Sequence, residues 1–127
     1  MVRSLRPYPG SLTPTARSPT VRSPLARVVV AGESMQPALR PGDCLVVRRG
    51  ARTRPGDVVV ARFPSRPGLL VVKRAVRPDG DLWWIESDNP AVTDDSRRYG
   101  PARVLSRVVL RYWPLPLRRL SPFRNVS

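Results

Sequence analysis

Lys73 is the only lysine in this chain, whose 23 basic residues are otherwise all arginine. Arginine stays protonated in proteins, whereas a buried lysine can lose its proton. Lys73 lies in a strand-like, apolar segment, residues 70–76, where burial would disfavour the ammonium ion and lower its pKa. A lysine with a lowered pKa can act as a general base near neutral pH. The alternative is an ordinary surface lysine on an amphipathic strand.

Ser34 is the candidate nucleophile, because it follows a valine run at residues 28–30 and lies at a turn. A serine in that position can present its hydroxyl and its backbone N–H to a substrate carbonyl, although most such serines only stabilise a turn or cap a helix. The chain has no histidine, which excludes a Ser-His-Asp triad. A serine–lysine dyad is a known way to activate the hydroxyl without histidine.

Four motifs resemble, in order, those of the type I signal peptidase clan of serine–lysine endopeptidases. They are Ser34-Met35-x-Pro37-x-Leu39-x-x-Gly42-Asp43, the segment 55–60, Val72-Lys73-Arg74 with Gly80-Asp81, and Ser87-Asp88-Asn89 with Thr93-x-Asp95-Ser96-Arg97 and Gly100. The resemblance implies that Ser34 is the nucleophile and Lys73 the general base. It also implies a compact β fold like that of signal peptidases and self-cleaving repressors.

Other site residues follow from the same resemblance. Gly32 stands where many members carry a serine or threonine that donates to the oxyanion, so the oxyanion hole is expected to rest on the Ser34 backbone N–H, with help from a flexible neighbour or water. Thr93 stands where the family has a serine that orients the lysine amine. Asp95 and Arg97 are expected to form an ion pair that holds the Thr93 segment against Lys73. Scattered carboxylates without histidine argue against a transition-metal site.

Within the clan, the chain most resembles the short nickel-type superoxide dismutase maturation proteases, which lack an obvious membrane anchor. This implies a bacterial cytoplasmic enzyme without cofactor that cuts a leader from a precursor. The precursor would lie extended against strand edges near residues 28–32 and 69–73. The pair Ala31-Gly32 resembles the cut site of self-cleaving repressors, but it lies too close to Ser34 to reach it.

Two other functions stay open from the sequence. The first is a general signal peptidase acting on exported preproteins, located peripherally at the inner membrane. The second is a non-enzymatic, basic β domain that binds nucleic acid. The net charge of +14 favours acidic partners, including an anionic membrane surface, but no nucleic acid is expected for a peptidase. No run approaches the roughly 20 apolar residues that span a bilayer, and the N-terminus does not read as a signal peptide.

The chain of 127 residues fits a single domain. Its apolar runs and its Pro-Gly and Asp-Gly turns predict a mainly β fold, with a helical turn over 35–40. Residues 1–26, rich in proline and arginine, predict a disordered tail, followed by a catalytic domain over 27–112 and a second tail over 113–127. The single cysteine, Cys44, excludes an internal disulfide and is predicted to lie in the core. Strands are predicted at 27–31, 43–49, 57–63, 69–77, 82–87 and 103–112.

Overall fold

A computed structural model describes residues 2–7 and 23–120 of the chain. The described residues form eight strands and one short helix. They are β1 (Val2–Pro7), β2 (Leu25–Val30), β3 (Cys44–Arg49), β4 (Val58–Arg62), β5 (Leu70–Asp79), β6 (Leu82–Glu86), α1 (Ser96–Tyr99), β7 (Arg103–Trp113) and β8 (Arg118–Arg119). The mainly β fold is therefore confirmed. The six predicted strands are all present, with ends within two residues of those observed.

All pairings are antiparallel, in the order β1-β2-β3-β7-β4-β5-β6, and β8 adds to β7. The long strand β7 joins the two halves of the sheet. Its first part, from Arg103 to Arg107, pairs with β4, and its second part, from Ser106 to Trp113, pairs with β3. This shared strand brings the β2–β3 half, which carries Ser34, together with the β4–β5 half, which carries Lys73.

Strand β4 is buried on both faces and separates two apolar clusters. Val58 and Val60 pack into one cluster with residues of β2, β3 and β7, whereas Val59 and Ala61 pack into the other with β5 and β6. Successive side chains of a strand point to opposite faces, so this division follows from the alternation along β4. Continuous apolar runs such as residues 58–61 are typical of strands covered on both sides.

The segment after Ser34 forms a hydrogen-bonded turn, where the sequence predicted a helical turn over 35–40. The Leu39 N–H donates to the Met35 carbonyl at 2.8 Å, and both side chains are fully buried in the β2–β3 cluster. These two anchors fix the turn, and with it the position of Ser34. Cys44 differs from the prediction, because it lies half-buried at the start of β3 rather than in the core.

Two strands reach into residues 1–26, the segment that the sequence predicted as a tail. Val2–Pro7 forms an edge strand on β2, and β2 itself begins at Leu25. Proline is compatible with an edge strand, because on its outer side a backbone N–H would face solvent and no hydrogen bond of the sheet is lost. The remainder of this prediction, residues 8–22, lies outside the described residues.

The predicted C-terminal tail also contains structure, since Arg118–Arg119 pairs with β7. The rest of that tail, residues 121–127, lies outside the described residues. The domain boundaries at 26 and 112 stay predictions. In the described part of the chain, no helix has the length and apolar character of a bilayer span.

Candidate active site

Lys73 is buried in the middle of β5, with only 2% of its surface exposed. It shares a face of the strand with Val71 and Ala75, which belong to the second apolar cluster. Burial lowers the pKa of Lys73 from 10.5 to about 8, although the nearby carboxylates of Asp95 and Asp94 oppose this effect. The amine can therefore be neutral at mildly alkaline pH. This is the state that a general base requires.

Ser87 contacts the lysine amine directly. Lys73 Nζ donates to Ser87 Oγ at 3.0 Å, and Ser87 is itself buried just after β6. The Ser87 N–H donates to Asp95 Oδ2 at 2.8 Å, so the serine is held from its backbone as well. The sequence assigned the orienting hydroxyl to Thr93, but Thr93 is exposed and the structure gives this contact to Ser87.

Asp95 is fully buried and connects Ser87 to Arg97, as the sequence predicted for the ion pair. Its Oδ2 accepts from Arg97 Nη2 at 2.7 Å and its Oδ1 accepts from Arg97 Nε at 3.0 Å. Burial alone would raise the pKa of Asp95, but the bonds from Arg97 and from the Ser87 backbone outweigh it and keep the pKa below 3.8. Asp95 thus stays ionised, caps α1 and fixes the position of Ser87.

Ser34 lines the same cavity as Lys73, and this cavity has a volume of about 360 Å³. Asn89 holds the Ser34 turn in place from the other side. Its N–H donates to the Ser34 carbonyl at 2.9 Å, and its Nδ2 donates to the Glu33 carbonyl at 3.0 Å. A single segment, residues 87–89, therefore contacts both the lysine amine and the backbone of the candidate nucleophile.

The wall of the cavity is largely apolar, and its titratable members besides Lys73 are Glu33, Arg66 and Asp94. Arg66 Nη1 donates to Tyr99 Oη at 3.4 Å. Uncharged side chains of a substrate fit the apolar part of this wall better than charged ones, because a charge placed against it would lose hydration. The apolar lining residues are Ala31, Leu69, Val71, Val92 and Tyr99.

Gly32 lies at the cavity with a φ of +93°, a region that side-chain-bearing residues rarely adopt. A Cβ at this position would meet no atom within 4 Å, so backbone conformation rather than lack of space favours glycine here. The position therefore carries no side-chain donor. The Ser34 N–H is left as the expected donor to an oxyanion, as the sequence suggested.

The sequence did not single out Arg74, Ser87 or Asn89 as site residues. Arg74 pairs with Asp88 in an almost fully buried ion pair, with Nη2 and Oδ2 at 2.6 Å, and donates to the Gly56 carbonyl at 3.0 Å. The sequence did indicate a buried position for Arg74. It neighbours Lys73 on a strand, so its side chain must point to the opposite face. A buried arginine there requires an acidic partner, and Asp88 lies in the last motif.

Of the two strand edges predicted to bind substrate, one is open in the structure and the other is paired with another strand. Within the described strands, β6 pairs with β5 only from Arg74 onward, so residues 70–73 keep one open edge. The outer edge of β2 is instead paired with β1, in a register that matches Val30 to Val2 and Val28 to Leu5. Strand β1 also contacts β5. It therefore pairs with one of the two strands at which substrate was expected and contacts the other.

The known proteins to which this chain is similar are peptidases. A family model described as Peptidase S24-like matches residues 11–109. Mitochondrial inner membrane protease subunit 1 of Xenopus tropicalis is 31% identical, and the match covers 69% of this chain and 69% of its own. The protein of that name in Schizosaccharomyces pombe is 31% identical and covers 69% of this chain and 73% of its own. Mitochondrial ATP-independent inner membrane protease subunit 1a of Arabidopsis thaliana is 30% identical, covering 67% and 68%.

Proposed function

This chain belongs to the Peptidase S24-like family and is a serine-type, signal-peptidase-like protease, and we propose that it removes leader peptides with a Ser34–Lys73 dyad. One observation carries the proposal. A buried lysine whose pKa lies near 8 lines one cavity with a serine held at a rigid turn. This pair combines a nucleophile and a base without histidine.

The proposed reaction has two halves. Neutral Lys73 takes the proton of the Ser34 hydroxyl as Oγ attacks the scissile carbonyl, and the Ser34 N–H donates to the oxyanion. Lys73 then gives that proton to the leaving amine, which leaves an acyl-enzyme. In the second half, Lys73 takes a proton from water, the hydroxide attacks the acyl carbon, and the proton returns to Ser34 Oγ. Ser87 holds the lysine amine throughout.

Substrate is proposed to bind as an extended strand along the open edge at residues 70–73. The apolar cavity beside Lys73 would then take the side chain next to the cleaved bond. Resemblance to the signal peptidases implies small residues at the first and third positions before the cut. Binding along β2 as well requires β1 to leave that edge.

The precursor of a nickel superoxide dismutase is the substrate we propose first. Its support is the resemblance of the sequence, described above, to the superoxide dismutase maturation proteases. General processing of exported preproteins is the second candidate. The names of the relatives described above, which place them at a mitochondrial inner membrane, favour the second candidate.

The two candidate functions imply different cellular locations. A superoxide dismutase maturation enzyme would act in the bacterial cytoplasm, whereas a general leader peptidase would sit peripherally at the inner membrane. Membership of a peptidase family argues against the third alternative, a non-enzymatic domain that binds nucleic acid.

Cleavage of purified precursors by matched variants tests this proposal. Ser34→Ala and Lys73→Arg should each lower kcat/KM by about a thousandfold or more, the latter because a guanidinium stays protonated. Ser65→Ala, at an exposed serine, should cleave like the unsubstituted enzyme. Substantial cleavage by Lys73→Arg would exclude the lysine as base. Comparing kcat/KM for the two precursor classes, with the cut located by mass spectrometry, chooses between the substrates.

A further inference from the structure

Glu33 places a carboxylate in the wall of the active-site cavity, one position before the proposed nucleophile Ser34. The residue is exposed, and within the described part of the chain no hydrogen bond or ion pair reaches its side-chain oxygens. The other charged groups of this wall are engaged. Asp94 pairs with Arg98 at 2.8 Å, and Arg66 donates to the Tyr99 hydroxyl at 3.4 Å. The Glu33 carboxylate is therefore available to a ligand in the cavity.

The backbone of Glu33 is held in place beside the nucleophile. Its carbonyl accepts from Asn89 Nδ2 at 3.0 Å and from the Gln36 N–H at 3.2 Å. The Asn89 N–H in turn donates to the Ser34 carbonyl at 2.9 Å, so one residue fixes both positions. Neighbouring Cα atoms are about 3.8 Å apart. Substrate residues that adjoin a carbonyl bound at the Ser34 N–H therefore lie within reach of the Glu33 carboxylate.

The charge balance of the chain makes this carboxylate unusual. The protein has a net charge of +14 and only nine acidic residues, so its surface as a whole repels cations. Six of the acidic side chains already bind protein groups: Asp43, Asp57, Glu86, Asp88, Asp94 and Asp95. Asp79 and Asp81 lie at the β5–β6 turn and do not line the cavity. A cation that enters the active site can therefore gain a charge-assisted hydrogen bond at Glu33.

We propose that Glu33 is a specificity residue that binds a lysine or arginine side chain of the substrate next to the cleaved bond. The proposal rests on the proposed function and adds a charge preference to it. Small residues are proposed at the first and third positions before the cut, and side chains alternate along an extended strand. The cationic residue therefore belongs at the second position before the cut or at the first position after it. Because the substrate makes this contact before as well as during the reaction, the contact should lower KM rather than raise kcat.

Short peptides of alanine and serine that differ at a single position test the role of Glu33. Each position around the cut, located by mass spectrometry, carries lysine, alanine or glutamate in turn, and kcat and KM are measured at low ionic strength. The unsubstituted enzyme should prefer lysine over alanine about threefold to fivefold at one of the two positions named above, as expected for an exposed ion pair. Glu33→Gln should lose this preference, and Glu33→Lys should prefer glutamate at the same position.

Asp81→Asn is the matched control, because it removes one exposed carboxylate outside the cavity and changes the net charge by the same amount. It should keep the preference for lysine, and melting temperatures should show that every variant is folded. The role of Glu33 would be overturned if Glu33→Gln kept the full preference or if Asp81→Asn lost it equally. A lysine preference of the same size at every position, or a preference for glutamate in the unsubstituted enzyme, would overturn it as well.

Peptide binding keeps this test separate from catalysis. In a Ser34→Ala background, fluorescence anisotropy of labelled peptides with lysine, alanine or glutamate at their centre should show the tightest binding for lysine. Adding Glu33→Gln should remove that difference, whereas adding Asp81→Asn should not. If the unsubstituted enzyme cleaves no peptide and no precursor, the proposed function fails, and the binding preference alone decides the role of Glu33. Equal binding of the three peptides to the Ser34→Ala variant would refute that role.

Discussion

Ser87 Oγ accepts a hydrogen bond from Lys73 Nζ at 3.0 Å, and both residues are at least 97% buried. Ser87 is in turn held by Asp95 through its backbone N–H. We expect Ser87→Ala to lower kcat about tenfold or more, because the lysine amine loses the group that orients it. KM should change little, because the contacts with substrate stay in place. Thr93→Val, at the exposed hydroxyl, should change neither constant.

Rescue distinguishes orientation from general packing at this position. Ser87→Thr keeps a hydroxyl and should retain more activity than Ser87→Ala, even if the extra methyl group lowers the melting temperature. If Thr93→Val lowers kcat more than Ser87→Ala does, Thr93 rather than Ser87 orients the lysine amine. Steady-state kinetics on one peptide substrate, with melting temperatures for every variant, provide the comparison.

The pH dependence of cleavage should report the buried lysine. Because only the neutral amine of Lys73 accepts a proton, kcat/KM should rise with pH through an ionisation near 8 and then level off. Asp94→Asn should move this ionisation to lower pH, since the Asp94 carboxylate stabilises the ammonium. A rate that climbs toward the ordinary lysine value of 10.5 would contradict the burial.

The same lysine should make stability depend on pH. Its pKa in the folded state lies below its unfolded value, so the unfolded chain binds more protons between about pH 8 and 10.5, and stability rises with pH there. The full change corresponds to about 3 kcal/mol. Lys73→Met removes this titration, so its stability relative to the unsubstituted chain should be most favourable below pH 8 and decline above it. A difference independent of pH, in urea unfolding, would refute this.

Two ion pairs of this structure should differ strongly in their effect on stability. Arg74 and Asp88 have side chains only 5% and 4% exposed, so Arg74→Gln leaves a buried carboxylate and should cost about 3–5 kcal/mol. Arg98 and Asp94 are 63% and 60% exposed, so Arg98→Gln should cost less than about 1 kcal/mol. Urea unfolding of both variants gives the comparison. Similar costs would show that burial does not govern the Arg74 pair.

Strand β1 should compete with substrate. Deleting residues 1–8 frees the outer edge of β2, so KM for an extended peptide should fall while kcat stays unchanged. A peptide of residues 1–8, added to the truncated enzyme, should then inhibit it competitively. An unchanged KM after truncation would show that substrate does not use the β2 edge. Deleting residues 121–127 provides the control truncation.

Local patterns in the sequence were sufficient for six of the eight described strands and for the choice of Ser34 and Lys73 as candidate site residues. Alternating apolar residues match the two-residue repeat of a strand. Short continuous runs rich in valine and bounded by Pro-Gly turns are typical of buried strands, which is why β4 and β5 were predicted nearly to their ends. The single lysine stood out because arginine cannot replace it as a base. Asp95 and Arg97 are two positions apart, so their pairing was also readable locally.

Tertiary structure alone decided which groups meet across long separations. Ser87 lies 14 positions from Lys73 and Asn89 lies 56 positions from Glu33, and no local pattern relates them. Either Ser87 or Thr93 could offer its hydroxyl to the amine of Lys73. The packing of α1 against β6 decides which of the two hydroxyls points inward. The pairing of β1 with β2 likewise depends on an edge that only the assembled sheet exposes. Contacts of this kind come from the three-dimensional course of the chain, which residue periodicity does not encode.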